Sequence, residues 1–528
     1  MGTSSSQPIP VNVVGSSSFG IYGKISDEKT FNMFISDEWL ISYAGFQKLR
    51  EMTEEGEGRG LFNSIRGGFM IAVINNAIYK ISSGLSVQFL GPIDTQSGEV
   101  SIDENLAQQI CIVDGRDAYI YHYELDSPAF SIKKQELKQA DTSTKIVPNF
   151  VEYHNSFFLI ASAPASPNPQ KWYAFERDNN EEIKLNSEFT LQTKPDRAIA
   201  IQRLPGKSNH VLVIGEAVSE VWAQVGDLQN YQRVSSYNID YGCAAVSTIA
   251  SSDTMVCWLA RNENNSPVIM MSNGGDTQRL STDGIDHLLG SVKYPEFSTA
   301  FFYRQNGHLF YQLTFTHEDD NFSLIYDTNT NMFFHITDED QNYHPARQVV
   351  YFNGATYFVS LNDASLYQMG EEFDTYNYNI DASEVGETIP RIRVCKSIRK
   401  EDSSIFRVGA FTFWLEQGVN NFTFGTVCNG QLITEILEED IITEEGELML
   451  SQDGYCTTNN NIPRVDMTIS KDGNRSFSNV VSRELNARGN YRNQINWHRL
   501  GQANEFTIQL RFWGMNRFVA GNGTAEVY

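Results

Sequence analysis

Read for the spacing of apolar and polar positions, the chain shows little helical periodicity; the best stretch, Ser281 to Leu289 (STDGIDHLL), is too short to carry an architecture. A different unit recurs. A turn rich in Asn, Asp or Gly precedes an apolar, aromatic or β-branched run, as in INNAIYKI at Ile74, VDGRDAYIYHY at Val113, YHNSFFLIAS at Tyr153, VIGEAVSEVWAQ at Val213, SSDTMVCWLA at Ser251, RQNGHLFYQLTF at Arg304 and YFNGATYFVS at Tyr351. Each predicts one arm of a β-hairpin. Marked at Asn76, Gly115, Asn155, Gly215, Asp253, Gly307 and Gly354, the turns stand 39, 40, 60, 38, 54 and 47 residues apart. A four-stranded propeller blade takes about 40 to 50 residues, so this is blade spacing with insertions. Further strand pairs fall between the markers, such as FSLIYDTNTNMFFHIT at Phe322, which turns at Asp327 to Asn331. The expected fold class is all-β, with a β-propeller of six or seven blades. The competing arrangement, a sandwich or a stack of unrelated hairpins, seldom needs seven evenly spread hairpins.

After Met369 the pattern changes. GEEFDTYNYNIDASEVGETIP has little strand character and reads as a linker ending near Pro390. Beyond it, longer alternating runs (FRVGAFTFWLEQG at Phe406, PRVDMTISKDG at Pro463, NEFTIQLRFWG at Asn504) predict a separate, sandwich-like C-terminal β domain. The expected division is 1–385 for the propeller with its insertions, its last blade completed by a strand from one end of the chain, and 386–528 for the C-terminal domain.

Composition narrows the function. Of 528 residues, 33 Phe, 24 Tyr and 7 Trp exclude a disordered chain, which is aromatic-poor. The net charge of −25 argues against a dedicated nucleic-acid binder, whose affinity rests on Lys and Arg displacing counterions, and against a membrane-surface role. The longest apolar stretch, GGFMIAVI at Gly67 to Ile74, is far short of the roughly 20 residues of a membrane span. MGTSSSQPIP lacks the features of a secretory signal; its Gly2 and Ser6 fit a loose myristoylation pattern, and a Ser-rich lead is the expected reading. Cys111, Cys243, Cys257, Cys395, Cys428 and Cys456 form no CxxC and are expected as free core thiols made in a reducing compartment.

Candidate chemistry is sparse. There is no GxSxG elbow, PGKSN at 205–209 lacks the first Gly of a P-loop, and His308, His317, His335 and His344 belong to no HExxH. No catalytic residue, cofactor or metal ligand is assigned. SKDGNRSF at 470–477 resembles the Asp-box turn of sialidase propellers, where its role is structural. Two charge clusters remain. Arg391, Arg393, Lys396, Arg399 and Lys400 crowd five cations into ten residues. On a strand, Arg391 and Arg393 share one face and Ile392 and Val394 the other, as suits a protein interface. Between Gln431 and Leu450 seven acids, among them Glu438, Glu439, Asp440, Glu444 and Glu445, stand without a Lys or Arg and are candidates for an acidic channel wall.

Tyr237 to Leu289 (YNIDYGCAAVSTIASSDTMVCWLARN, then VIMMSNGGDTQRLSTDGIDHLL) resembles the packaged DNA stabilisation proteins of short-tailed phages, the tail hub or nozzle subunits. RNQINWHRLGQANEFTIQLRFWG, preceded by GNY, is similar to their C-terminal G-x-Y … W-x-R-L-G-x-A motif, met here by Gly489, Tyr491, Trp497, Arg499, Leu500, Gly501 and Ala503. AGFQKLREM with RGGFMIAVINNAIYKI resembles their opening blade, and RQNGHLFYQLTF with LIYDTNTNMFFHI their later ones; Gln431 to Asn461 departs from the pattern. The resemblance implies a non-enzymatic virion tail protein assembled in the bacterial host cytoplasm. It implies a homohexameric ring on the portal adaptor, or head-to-tail connector, that closes the channel with the tail needle, neighbours tailspikes or tail fibres, and passes double-stranded DNA without binding it. The competing classes are a secreted or phage-borne sialidase-like glycan-binding or glycan-hydrolysing propeller, which calls for several Asp boxes, and a bacterial propeller for protein interaction, expected to be monomeric.

Overall fold

The structure, a computed structural model, describes residues 7–19, 28–53, 55–123, 132–140, 144–179, 182–226, 230–264, 267–381, 384, 386–417, 426–431, 450–458, 463–486, 491–514 and 517–528. Two compact units divide the chain: residues 16–36 with 43–389, and residues 1–15 with 37–42 and 390–528. Asp283–Leu289, capped by the Thr282 side chain, is the one α-helix among the described residues, and no helix there is long and apolar enough to cross a membrane.

The larger unit is a seven-bladed propeller. Blades 1 to 4 are four-stranded antiparallel sheets opening at Gly58–Ser64, Ser101–Glu104, Pro148–His154 and Ala198–Arg203. Blade 5 is built on Val256–Arg261, blade 6 opens at Ser298–Gln305 and blade 7 at Ala346–Phe352. Blade 7 takes its fourth strand from the other end of the propeller sequence: Gly45–Glu51 pairs antiparallel with Ser365–Gly370, Phe46 opposite Met369. That pairing closes the ring. Turn chemistry sets the hairpins locally: Asn306 and Gly307 (φ 50° and 80°) and Asn353 and Gly354 (φ 46° and 88°) take the left-handed conformations that a two-residue hairpin turn demands.

Second strands are apolar on both faces because both are buried. In Phe69–Ile74, residues Phe69, Ile71 and Val73 pack against Ile110 and Ile112 of blade 2, whereas Met70, Ala72 and Ile74 pack against Val359 and Leu366 of blade 7. Cys111 and Val113 turn the other way, onto Phe158 and Ile160 of blade 3. Each buried Ile, Val, Leu, Phe or Met here contributes about 1.5–3 kcal/mol. Cys111, Cys243, Cys257 and Cys395 are buried and unpaired with one another.

In the second unit, Phe406–Leu415 pairs with Gln494–Ala503 on one side and Val519–Val527 on the other, and Gln7–Val11 and Trp39–Ser42 share the far edge of that last strand. A second sheet joins Arg391–Val394, Glu505–Trp513, Arg464–Ser470 and Val481–Glu484. Aromatic rings from the two sheets meet between them, Phe413 with Phe512 (6.3 Å) and Phe406 with Phe506 (5.3 Å), as in a sandwich. That residues 1–15 and 37–42 belong to this unit has no signal in the local pattern.

Candidate functional site

The first strand of every blade faces the propeller axis, and hydrogen bonds link each to the next around a complete circuit. Val100 N donates to Arg59 O (3.2 Å), Val151 N to Ser101 Oγ (3.1 Å) and Gln202 Nε2 to Glu152 Oε1 (3.2 Å). The same Nε2 reaches Ser251 Oγ (3.2 Å), Ser247 Oγ donates to Ser298 O (2.6 Å), Thr299 Oγ1 to Arg347 O (3.2 Å), and Leu61 N to Gln348 Oε1 (2.8 Å). Polar side chains at the axis are thus consumed in holding blades together, as buried polar groups must be.

The cavity they enclose is only about 270 Å³. Its charged lining is Arg59, Glu99, Asp103, Glu152, Arg203 and Arg347. Arg59 is fully buried and donates to the carbonyls of Gly98 (2.7 Å), Thr95 (2.7 Å) and Asn75 (2.8 Å), so it bolts blade 1 to the segment leading into blade 2. Arg203 donates to Glu152 and lies 3.8 Å from Asp103; Arg347 pairs with Glu57 at 3.3 Å. Burial pushes Glu152 up to about 7 against the pull of Arg203 and raises Asp103 as well. Glu99 also lines the cavity, and the protein around it raises its carboxyl to about 7 against the pull of Arg347 and a bond from Ser247. First strands joined this closely, by direct hydrogen bonds from each blade to the next, leave little room along the axis. The sequence reading missed these residues. Their signal is a recurrence near fifty residues along first strands (Asp103, Glu152, Gln202, Ser251), blurred because the chosen turn markers sit in different hairpins of their blades.

The cationic run is placed otherwise than expected. Arg391 and Arg393 do share a strand face, but that face is inside the chain. Both are fully buried, Arg393 donates to Val13 O (2.8 Å) and Asn12 O (3.0 Å), and the Arg391 guanidinium lies 5.4 Å from the Phe518 ring. Guanidiniums enclosed in this way are not free for another subunit, which corrects the interface reading for these two. Lys396 and Arg399 are exposed, Arg399 bonding Glu505 at 2.5 Å, and Lys400 is half-buried over Phe406. Glu438, Glu439, Asp440, Glu444 and Glu445 lie outside the described residues.

The Asp-box-like turn is a self-contained knot: Asp472 accepts from Ser476 Oγ (2.5 Å) and N (3.0 Å), Ser470 Oγ (2.8 Å) and Arg475 N (3.1 Å), which holds its carboxyl well below the usual range. His308 bonds Asp327 (2.9 Å), and burial holds His335 and His344 down to about 3, hence neutral. Among the described residues no His, Cys, Asp and Glu gather as metal ligands.

The family described as bacteriophage P22 Gp10, β-propeller, of the phage stabilisation type, matches residues 28–374. The chain belongs to this family. It is a phage protein of DNA stabilisation built on a β-propeller, and residues 28–374 fall within its first 389, which hold the propeller unit. No curated protein matches significantly. Among solved structures, a streptogramin B lyase is 12% identical with TM-score 0.40, over 63% of this chain and 99% of its own. Virginiamycin B lyase from Staphylococcus aureus is 11% identical with TM-score 0.40, over 62% and 99%. An ancestral GH74 enzyme is 11% identical with TM-score 0.40, over 71% and 52%. Likeness this distant carries no conclusion about chemistry.

Proposed function

We propose that the chain is one subunit of a tail hub or nozzle ring that closes the portal channel after packaging, retains the genome together with the tail needle, and conducts DNA at ejection. Beside the family membership, the observation that supports this reading is the narrow propeller axis, where neighbouring first strands bond directly to one another. A conduit for a duplex would then be formed between copies of the chain rather than along the axis of one propeller. An acidic subunit suits such a conduit, since a wall that gripped phosphates would retard passage. The ring is read as six-fold and the chain as without enzymatic turnover, a virion component assembled in the host cytoplasm.

The test is the mass and image of the purified chain with and without its head-to-tail connector. A six-fold ring docked on the connector is expected, and a chain that stays monomeric with the connector present refutes the proposal. Six copies at −25 each carry about −150, so ring formation should improve from low salt to 0.15 M, where screening acts over about 8 Å. With Arg391 and Arg393 buried, the exposed Lys396 and Arg399 and the half-buried Lys400 are the part of the run nearer the surface, and reversing them to Glu should abolish docking while the subunit stays folded.

A further inference from the structure

Four of the seven tryptophans, Trp172, Trp222, Trp258 and Trp497, are fully buried in blades or between sheets. Trp39 and Trp414 are not: they are 47% and 50% exposed, and they lie side by side on the outer face of one sheet in the C-terminal unit. Three adjacent strands bring them together. Leu40 and Ile41 pair with Ala520 and Val519, which sets Trp39 opposite Gly521, and Trp414 lies on the strand along the other edge of Val519–Val527. Gly521 is what lets them meet. A Cβ there would stand 2.9 Å from Trp39 Cζ3, 3.4 Å from Trp39 Cε3 and 3.2 Å from Trp414 Cβ, so the Trp39 ring fills the space a side chain would take, and the base of the Trp414 side chain borders the same space.

Around this aromatic surface the sheet is hydrophilic. Gln494, the register partner of Trp414, is exposed; so is Glu416, whose N–H bonds Val519 O, and Thr412, Asn496, Thr524 and Glu526 continue the same polar character. The apolar area is small. Two half-exposed indoles offer roughly 200 Å², against about 800 Å² per partner in a stable protein interface. A short aromatic strip bordered by amide, carboxylate and hydroxyl groups suits a ligand whose own surface alternates C–H faces with hydroxyls. A phosphate-bearing ligand is disfavoured by Glu416 at the border and by the charge of the whole chain.

We propose that Trp39 and Trp414 form a stacking platform for neutral pyranose units, with Gln494 and Glu416 bonding the sugar hydroxyls: a saccharide-binding site on the C-terminal β unit, separate from the propeller axis. With four of the other five indoles enclosed and Trp513 half-buried, a ligand-dependent change in the intrinsic fluorescence of the full chain reports chiefly on this pair. Titration with cellohexaose, chitohexaose and maltohexaose should give a saturable change with at least one of them at millimolar concentration or below. Trp39→Ala and Trp414→Ala should each weaken binding at least about tenfold. Trp414→Phe, which keeps a ring, should recover most of it, and Gly521→Val, which displaces the Trp39 ring, should weaken binding with both indoles still present; near-UV circular dichroism checks the fold of each variant. The proposal is overturned if none of the three sugars gives a saturable change, or if the alanine variants bind as the parent does. It is overturned equally if Trp414→Ala leaves sugar binding intact and instead removes self-association or connector docking, which would make the strip a protein contact.

Discussion

Arg393 offers the sharpest test of how the second unit is held together. The N-terminal strand Gln7–Val11 pairs along Val519–Val527, Gln7 opposite Val527 and Val11 opposite Gly523, and just beyond it the carbonyls of Asn12 and Val13 both accept from the Arg393 guanidinium. The strand is therefore pinned where its pairing ends. Replacing Arg393 by Ala removes two charge-assisted bonds, each about 1.5–3 kcal/mol, and leaves two carbonyl oxygens without that donor, a loss of about 3–5 kcal/mol in all. In a unit of about 160 residues, where each kcal/mol is worth about 2–4 °C, the melting temperature of this unit should fall by about 6–20 °C. Arg393→Lys, which keeps the charge but loses the fork that spans two carbonyls, should recover less than half of the loss. Arg393→Glu sets a carboxylate against two carbonyl oxygens and should unfold the unit. Scanning calorimetry separates this transition from that of the propeller, and limited proteolysis with mass analysis should show residues 1–15 released first in the Ala variant. A shift under about 2 °C with the N-terminus still protected would refute the pin.

Two further predictions concern the propeller. Phe46 is fully buried on the closing strand, stacked on Tyr376 at 4.6 Å and edge-on to Phe358 and Tyr367 at 5.3 Å, so Phe46→Ala should cost about 3–5 kcal/mol in denaturant unfolding of this unit, and a loss below about 1 kcal/mol would mean that the ring closes by other contacts. Glu152 binds its proton more tightly folded, about 7, than unfolded, near 4.5, so the stability it contributes is present at acid pH and lost as pH rises through about 7; Glu152→Gln should flatten that part of the pH–stability curve, and an unchanged slope would refute the assignment.

Most of the propeller is legible in local chemistry. Each of the seven turn markers falls in a different blade, and four of them, Gly115, Asn155, Gly307 and Gly354, stand in the left-handed region, where a turn favours Gly or Asn whatever surrounds it. The apolar runs were equally readable as strands, since a strand buried on both faces has no polar side to interrupt it. The marker spacings scattered from 38 to 60 because Gly115 sits between the second and third strands of its blade and Asn155 between the first and second. Such a difference is invisible until the strands are paired.

What local pattern could not reveal was long-range partnership. Gly45–Glu51 closes a blade with residues 365–370, Gln7–Val11 lies along a strand more than 500 residues later, and Arg391 and Arg393 face inward. A strand edge presents the same row of N–H and C=O groups to every comer, so alternation tells that a strand exists and which faces it has, not which edge it joins. An arginine on a strand face likewise looks like surface until another segment of the chain covers it with carbonyl oxygens. The axial residues share this character: Asp103, Glu152 and Gln202 are ordinary polar positions in sequence, and only the closed ring sets them around one narrow cavity where burial makes the charge of the two carboxylates costly.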